Sequence, residues 1–81
     1  MLEIKNLKNQ QKIYYKSIYL YPIQMTITNL TDTTIEFDDG TYANENNLKD
    51  YFITEEECIK SCQKELEEKL EKLHLMLNKE K

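Results

Sequence analysis

The chain has 81 residues, 40% hydrophobic and 32% charged, with a net charge of −4 and no arginine. That length supports one domain with a small core, so further stabilisation has to come from oligomerisation, a metal or disulfides. An acidic balance without arginine lacks both the cations that neutralise phosphates and the forks that read bases, so a nucleic-acid partner is not expected.

Residues 1–11 are polar with Leu2, Ile4 and Leu7 interspersed, a pattern open to a strand, a helical turn or an arm. Lys12 to Lys16 has strand composition, and Ser17 to Pro22 reads as a tyrosine-rich loop or strand start, because proline belongs at an edge, a start or a bend. Ile23, Met25 and Ile27 alternate with Gln24, Thr26 and Thr28, which predicts a half-buried strand that slips near Asn29 before Leu30. Thr31-Asp32-Thr33 is a turn, and Thr34 to Asp38 alternates again with Ile35 and Phe37 inward. Asp39-Gly40 holds the chain's one glycine and predicts a type I′ hairpin turn, with positive φ at both positions. Thr41 to Ala43 returns as a strand, Asn44 to Asn47 is a polar loop, and Leu48 to Ile53 closes the β region. The expected inward set is Ile13, Ile23 or Met25, Ile27, Leu30, Ile35, Phe37, Leu48 and Phe52.

Thr54 followed by Glu57 is a capping box, and Glu55, Glu56 and Glu57 suit the positive end of a helix dipole. The helix they open should run from about Glu55 to Asn78, roughly 36 Å at 1.5 Å per residue. Within it Ile59, Gln63, Leu66, Leu70, Leu73 and Leu77 alternate steps of four and three. That is a heptad seam, with Gln63, Leu70 and Leu77 at a and Ile59, Leu66 and Leu73 at d. Cys58, Ile59, Cys62 and Leu66 are expected to pack the first turns on the sheet. A small β domain covers no more than that, so Leu66, Leu70, Leu73, Met76 and Leu77 form a candidate self-association stripe. A homodimer is the simplest repair, a fold-back or a heterologous partner the alternatives, and the seam itself fixes neither parallel nor antiparallel order. The expected fold is therefore α+β: one domain over 1–81, with a strongly bent antiparallel sheet or SH3-like barrel over about 11–53 and one long helix over about 54–79.

The order of parts resembles a loose group of small uncharacterised proteins from phages and mobile elements of low-GC Gram-positive bacteria. The shared residues are Lys12-Ile-Tyr-Tyr-Lys16, the Thr33-Thr-Ile-Glu-Phe-Asp-Asp-Gly40 hairpin, and Tyr51-Phe-Ile-Thr-Glu-Glu-Glu-Cys58 opening the helix, within roughly residues 11–62. The resemblance implies a bent SH3-like barrel with a C-terminal helix and a mobile-element origin. It transfers no active site. Departures are Gln10-Gln11 where the group has Gly-Asp, Cys58 where it has alanine, and a longer helix.

Chemistry-bearing residues are sparse. One histidine, one glycine and no arginine leave no catalytic constellation or phosphate-cradling loop, so an enzyme is not expected. Cys58, Cys62 and His74 invite a zinc reading, but His74 lies about 18 Å beyond Cys62 along a straight helix, so no metal or other cofactor is expected. The two thiols sit one helical turn apart, a poor geometry for a disulfide, and are expected to be reduced packing residues. Asp38-Asp39-Gly40 lacks the spacing of a calcium loop. Tyr14, Tyr15, Tyr19 and Tyr21 are candidates for a partner surface, although Tyr14 and Tyr15, being adjacent on a strand, must face opposite ways. The acidic residues Asp38, Asp39, Glu45 and Asp50 are further candidates, for docking on a basic protein groove; a solvated loop face is the commoner role of such a band. With no signal sequence or membrane span in view, the expected setting is the cytoplasm, that of a host cell if the protein is phage-encoded, without membrane contact. The function these observations favour is a non-enzymatic protein-binding module, an accessory or anti-CRISPR-like counter-defence factor that inhibits a host complex by occupying a surface. The alternative is a small nucleic-acid-binding or regulatory barrel.

Overall fold

Alternating apolar residues and two three-residue turns set the sheet. The structure, a computed structural model, describes residues 2–79. Its strands are β1 Lys12–Lys16, β2 Pro22–Leu30, β3 Thr34–Phe37, β4 Tyr42–Asn44 and β5 Tyr51–Phe52, followed by one helix, α1 Glu55–Lys79. Short 3-10 turns at Ile4–Asn6 and Leu48–Asp50 complete it. All pairings are antiparallel, in the order β4-β3-β2-β1-β5. The result is an α+β fold whose sheet is a curled half-barrel. Along β2 the register shifts between Ile27, opposite Phe37, and Asn29, opposite Glu36. This bulge bends the long strand so that its halves serve two differently oriented parts of the sheet.

Two of the three β-hairpin turns, β1–β2 and β3–β4, have the same construction. In the β3–β4 turn, Phe37 N–H donates to Thr41 O (2.9 Å), Gly40 N–H donates to Phe37 O (3.0 Å), and Gly40 has φ 85°. In the β1–β2 turn, Ser17 N–H donates to Tyr21 O (3.2 Å), Leu20 N–H donates to Ser17 O (3.0 Å), and Leu20 has φ 61°. Each is a three-residue loop closed by a left-handed residue. The type I′ turn expected at Asp39-Gly40 is thus corrected, since Gly40 alone takes positive φ. Asp39 instead turns its carboxylate onto the Thr41 N–H (2.9 Å) and hydroxyl (2.6 Å), which holds its pKa below the usual carboxylate value.

One face of the sheet carries the core: Ile13, Met25, Ile27, Ile35, Phe37 and Ala43. Residues 2–7 close it from below, with Leu2, Ile4 and Leu7 buried together with Leu48. Of the expected pair Ile23 or Met25, Met25 is the buried one, and Ile23, opposite Tyr15 on β1, stays exposed. Phe52 is also corrected. It pairs with Tyr14 while Tyr51 pairs with Tyr15, and paired residues share a face. Tyr51 therefore takes the core side, stacked on Phe37 at 5.4 Å and tilted against Tyr15 at 5.0 Å. Burial, with Tyr15 alongside, pushes its phenol pKa up.

Strand alternation puts Tyr14, Lys16 and Phe52 on the opposite face, and there α1 lies against β1, β2 and β5. Thr54 caps it: its Oγ1 accepts from Glu57 N–H (3.2 Å) and donates to the Glu57 carboxylate (3.1 Å). Cys58 and Cys62 are the helix residues buried against the sheet. Ile59 and Leu66, expected to share that role, are exposed. The reason is angular. At about 100° per residue, the docked set Cys58, Ser61, Cys62 and Glu65 is centred about 100° around the helix from the leucine stripe. Docking through one face leaves the other turned aside. The molecule measures 54 × 22 × 21 Å because the helix outruns the sheet.

Candidate functional site

The helix is tied to the sheet by one lysine. Lys16, at the end of β1, donates to Ser61 Oγ (3.1 Å) and to the Glu65 carboxylate (3.1 Å), with Asp50 at 3.8 Å. Burial pulls the ammonium's pKa down, but the bond and charge of Glu65, then Asp50, outweigh it and hold the value above that of an ordinary lysine. The same contact, and Lys16 charge, draw the Glu65 carboxyl down. The clamp also fixes where covered surface ends: Ser17 follows Lys16 into the β1–β2 turn, and Leu66 follows Glu65 into the free part of the helix.

Beyond the clamp lie two apolar surfaces. Leu66, Leu70, Leu73, Met76 and Leu77 are 48%, 57%, 60%, 61% and 57% exposed, and every residue from Leu66 to Asn78 is exposed to solvent. The expected stripe is exposed, and none of the described residues covers it. The second surface is the hairpin tip. Ile18 and Tyr19 are 78% and 74% exposed, Tyr21 stacks beside Tyr19 at 6.4 Å, and Leu20 sits at the left-handed position. In the sister turn that position is glycine. A leucine there costs about 1–2 kcal/mol, strain of the kind that concentrates at functional surfaces. Tyr19 and Tyr21 were expected to be candidates; Ile18 and Leu20 were not, because Ser17-Ile-Tyr-Leu-Tyr-Pro22 contains no glycine, asparagine or aspartate to announce a turn.

The structure separates the remaining candidates. Tyr15 is half-buried against the core, and Tyr14 is half-buried on the helix side, its hydroxyl accepting from Gln24 Nε2 (3.1 Å). The two do not join Tyr19 and Tyr21 in one patch. Asp38 and Asp39 serve the β3–β4 turn, with the Asp38 carboxylate 3.5 Å from Thr26 N, and Asp50 faces Lys16. Glu45 is exposed on the β4 side, lining a shallow depression with Leu2, Ile4, Lys5 and Asp32. The acidic residues are therefore spread over three places with local duties rather than gathered into one docking face.

Concave sites offer little chemistry. A cleft of about 380 Å³ is lined by apolar Leu2, Leu48, Phe52 and Ile53 together with Lys49, Tyr51 and Glu57. Among the described residues no three His, Cys, Asp or Glu side chains are grouped to share an ion. Cys58 and Cys62 are free thiols, and burial beside Cys62 pushes the Cys58 thiol up to about 11. Such a thiol is a packing group, not a nucleophile. Among the same residues no helix is long and apolar enough to cross a membrane. The fold is that of a small α+β protein with two exposed apolar surfaces. No protein family, curated protein or solved structure matches the chain.

Proposed function

We propose that this chain is a non-enzymatic protein-binding module that self-associates through its helical stripe and presents the Ile18–Tyr21 hairpin tip to a protein target. The observation that carries this is the uncovered helix from Leu66 to Asn78, five of whose apolar side chains form one continuous stripe. Contiguous apolar surface of that kind marks interaction sites on small proteins. The tip adds two exposed aromatics on a strained turn, the residue type enriched where binding energy concentrates.

The resemblance to phage and mobile-element proteins supplies the proposed setting: an accessory or counter-defence factor in the host cytoplasm, occupying the surface of a host complex. The nucleic-acid alternative has weak support, because the chain carries a net charge of −4 and no arginine. Pull-down from host extract with wild type and with Ile18→Ser/Tyr19→Ser tests the reading. A host protein retained by the first and lost with the second supports it. Salt-sensitive retention on heparin or a shift of DNA by the wild type, with no tip-dependent capture, refutes it.

A further inference from the structure

We infer that the second copy packs antiparallel on the stripe, placing Leu66 against Leu77 of the other copy, Leu70 against its Leu73, and Glu67 beside its His74. This rests on the self-association proposed above and adds the geometry that the heptad alone leaves open.

Two observations select the arrangement: which leucines are bare, and which charges flank them. In an antiparallel pair, a positions meet d positions, and e meets e while g meets g across the seam. Here Glu67 and His74 occupy e, with Lys69 and Met76 at g. Pairing Leu66 with Leu77 and Leu70 with Leu73 covers all four exposed leucines of the stripe. It sets Glu67 beside His74 twice by symmetry and lays Met76 along the aliphatic stem of Lys69. Sliding one layer toward the sheets, to pair Leu66 with Leu70, opposes Glu67 to Glu67 and Lys69 to Lys69 at the two-fold axis. A further slide leaves Leu73 and Leu77 bare and drives Gln63 against Leu66. A parallel pair brings g against e of the following heptad, so Lys69 meets His74, while Glu67 meets Cys62, which is already buried on its own sheet. Of the antiparallel registers, only the first covers the bare leucines without opposing like charges among the described residues, and it gives Glu67 a hydrogen-bond donor in His74, which the parallel pair does not.

The arrangement has a consequence for presentation. Leu66 follows the Lys16–Glu65 clamp, so the two sheets, with their hairpin tips, stand at opposite ends of the helix pair. The dimer would offer two tips to one target assembly, converting a weak contact into an avid one.

His74 discriminates the arrangements by sign, and it is exposed, so its substitution leaves the fold intact. Sedimentation equilibrium on wild type, His74→Lys and His74→Glu, with helix content checked by circular dichroism, is the test. In the antiparallel register lysine faces Glu67 and glutamate repels it. The dimer should tighten with His74→Lys and weaken with His74→Glu, about three- to tenfold each way since every substitution counts twice. In a parallel pair the order reverses, because residue 74 then faces Lys69. The reversed order, or three equal constants, overturns the register and leaves self-association standing. Three monomers overturn both.

Discussion

Cys58 is the most direct reporter of how the helix meets the sheet. Its side chain has no exposure, and burial together with the neighbouring Cys62 raises its thiol from the ordinary 9.0 to about 11. The thiolate is the species that alkylates, so at pH 8 an upward shift of that size lowers the reactive fraction about a hundredfold against a free thiol. Steric burial multiplies the protection. Iodoacetamide labelling at pH 8, read by mass spectrometry, measures it residue by residue, because trypsin cuts at Lys60 and separates Cys58 from Cys62. Cys58 in the folded protein should label at least about a hundred times more slowly than in urea. Lys16→Gln, which removes the clamp but no core residue, should raise the folded-state rate by letting the helix lift more often. Equal Cys58 rates in buffer and in urea would show that this face is not docked, and would refute the placement of the stripe with it.

Gly40→Ala should destabilise by about 1–2 kcal/mol through backbone strain alone, since Gly40 has φ 85° and open space where a Cβ would sit. For a chain of this size that is a fall in Tm of roughly 4–16 °C, measurable by circular dichroism. The clamp sets the pH dependence. Glu65 titrates below its ordinary 4.5 when folded, so its contribution is complete above 4.5 and lost as pH falls through the folded value. Lys16 titrates above its ordinary 10.5 when folded, so its contribution is complete below 10.5 and lost as pH rises through the folded value. Urea unfolding at pH 6 and pH 3 should show a smaller loss of stability in Glu65→Gln than in wild type.

Much of this arrangement was legible in the chain because local patterns carried it. The alternation of Ile23 to Ile27 and of Thr34 to Phe37, the Thr54–Glu57 cap and the uninterrupted helix predict their elements directly. What was not legible depends on contacts distant in sequence. Leu2, Ile4 and Leu7 have no strand or helix period, yet a 3-10 turn folds all three under the core. Phe52 and Tyr51 exchange roles because a two-residue strand has no periodicity to assign its faces. The heptad identified the stripe, but not that Cys58 and Cys62, about 100° around the helix, would take the sheet and leave even Ile59 and Leu66 uncovered. At the tip, Tyr19 and Tyr21 stood out by type, whereas Leu20 became notable only through its φ of 61°.

We propose that a second copy covers the stripe. Leu66, Leu70, Leu73, Met76 and Leu77 are each about half-exposed, so completing their burial is worth about 1 kcal/mol per side chain, roughly 10 kcal/mol gross over two copies. Taking an association cost of about 4 kcal/mol, the low end of its general range, this gives dissociation in the tens of micromolar. Light scattering across that concentration range should show the wild type passing from monomer to dimer, and Leu70→Glu/Leu73→Glu remaining monomeric with its sheet intact. A wild type that stays monomeric at several hundred micromolar would contradict the claim.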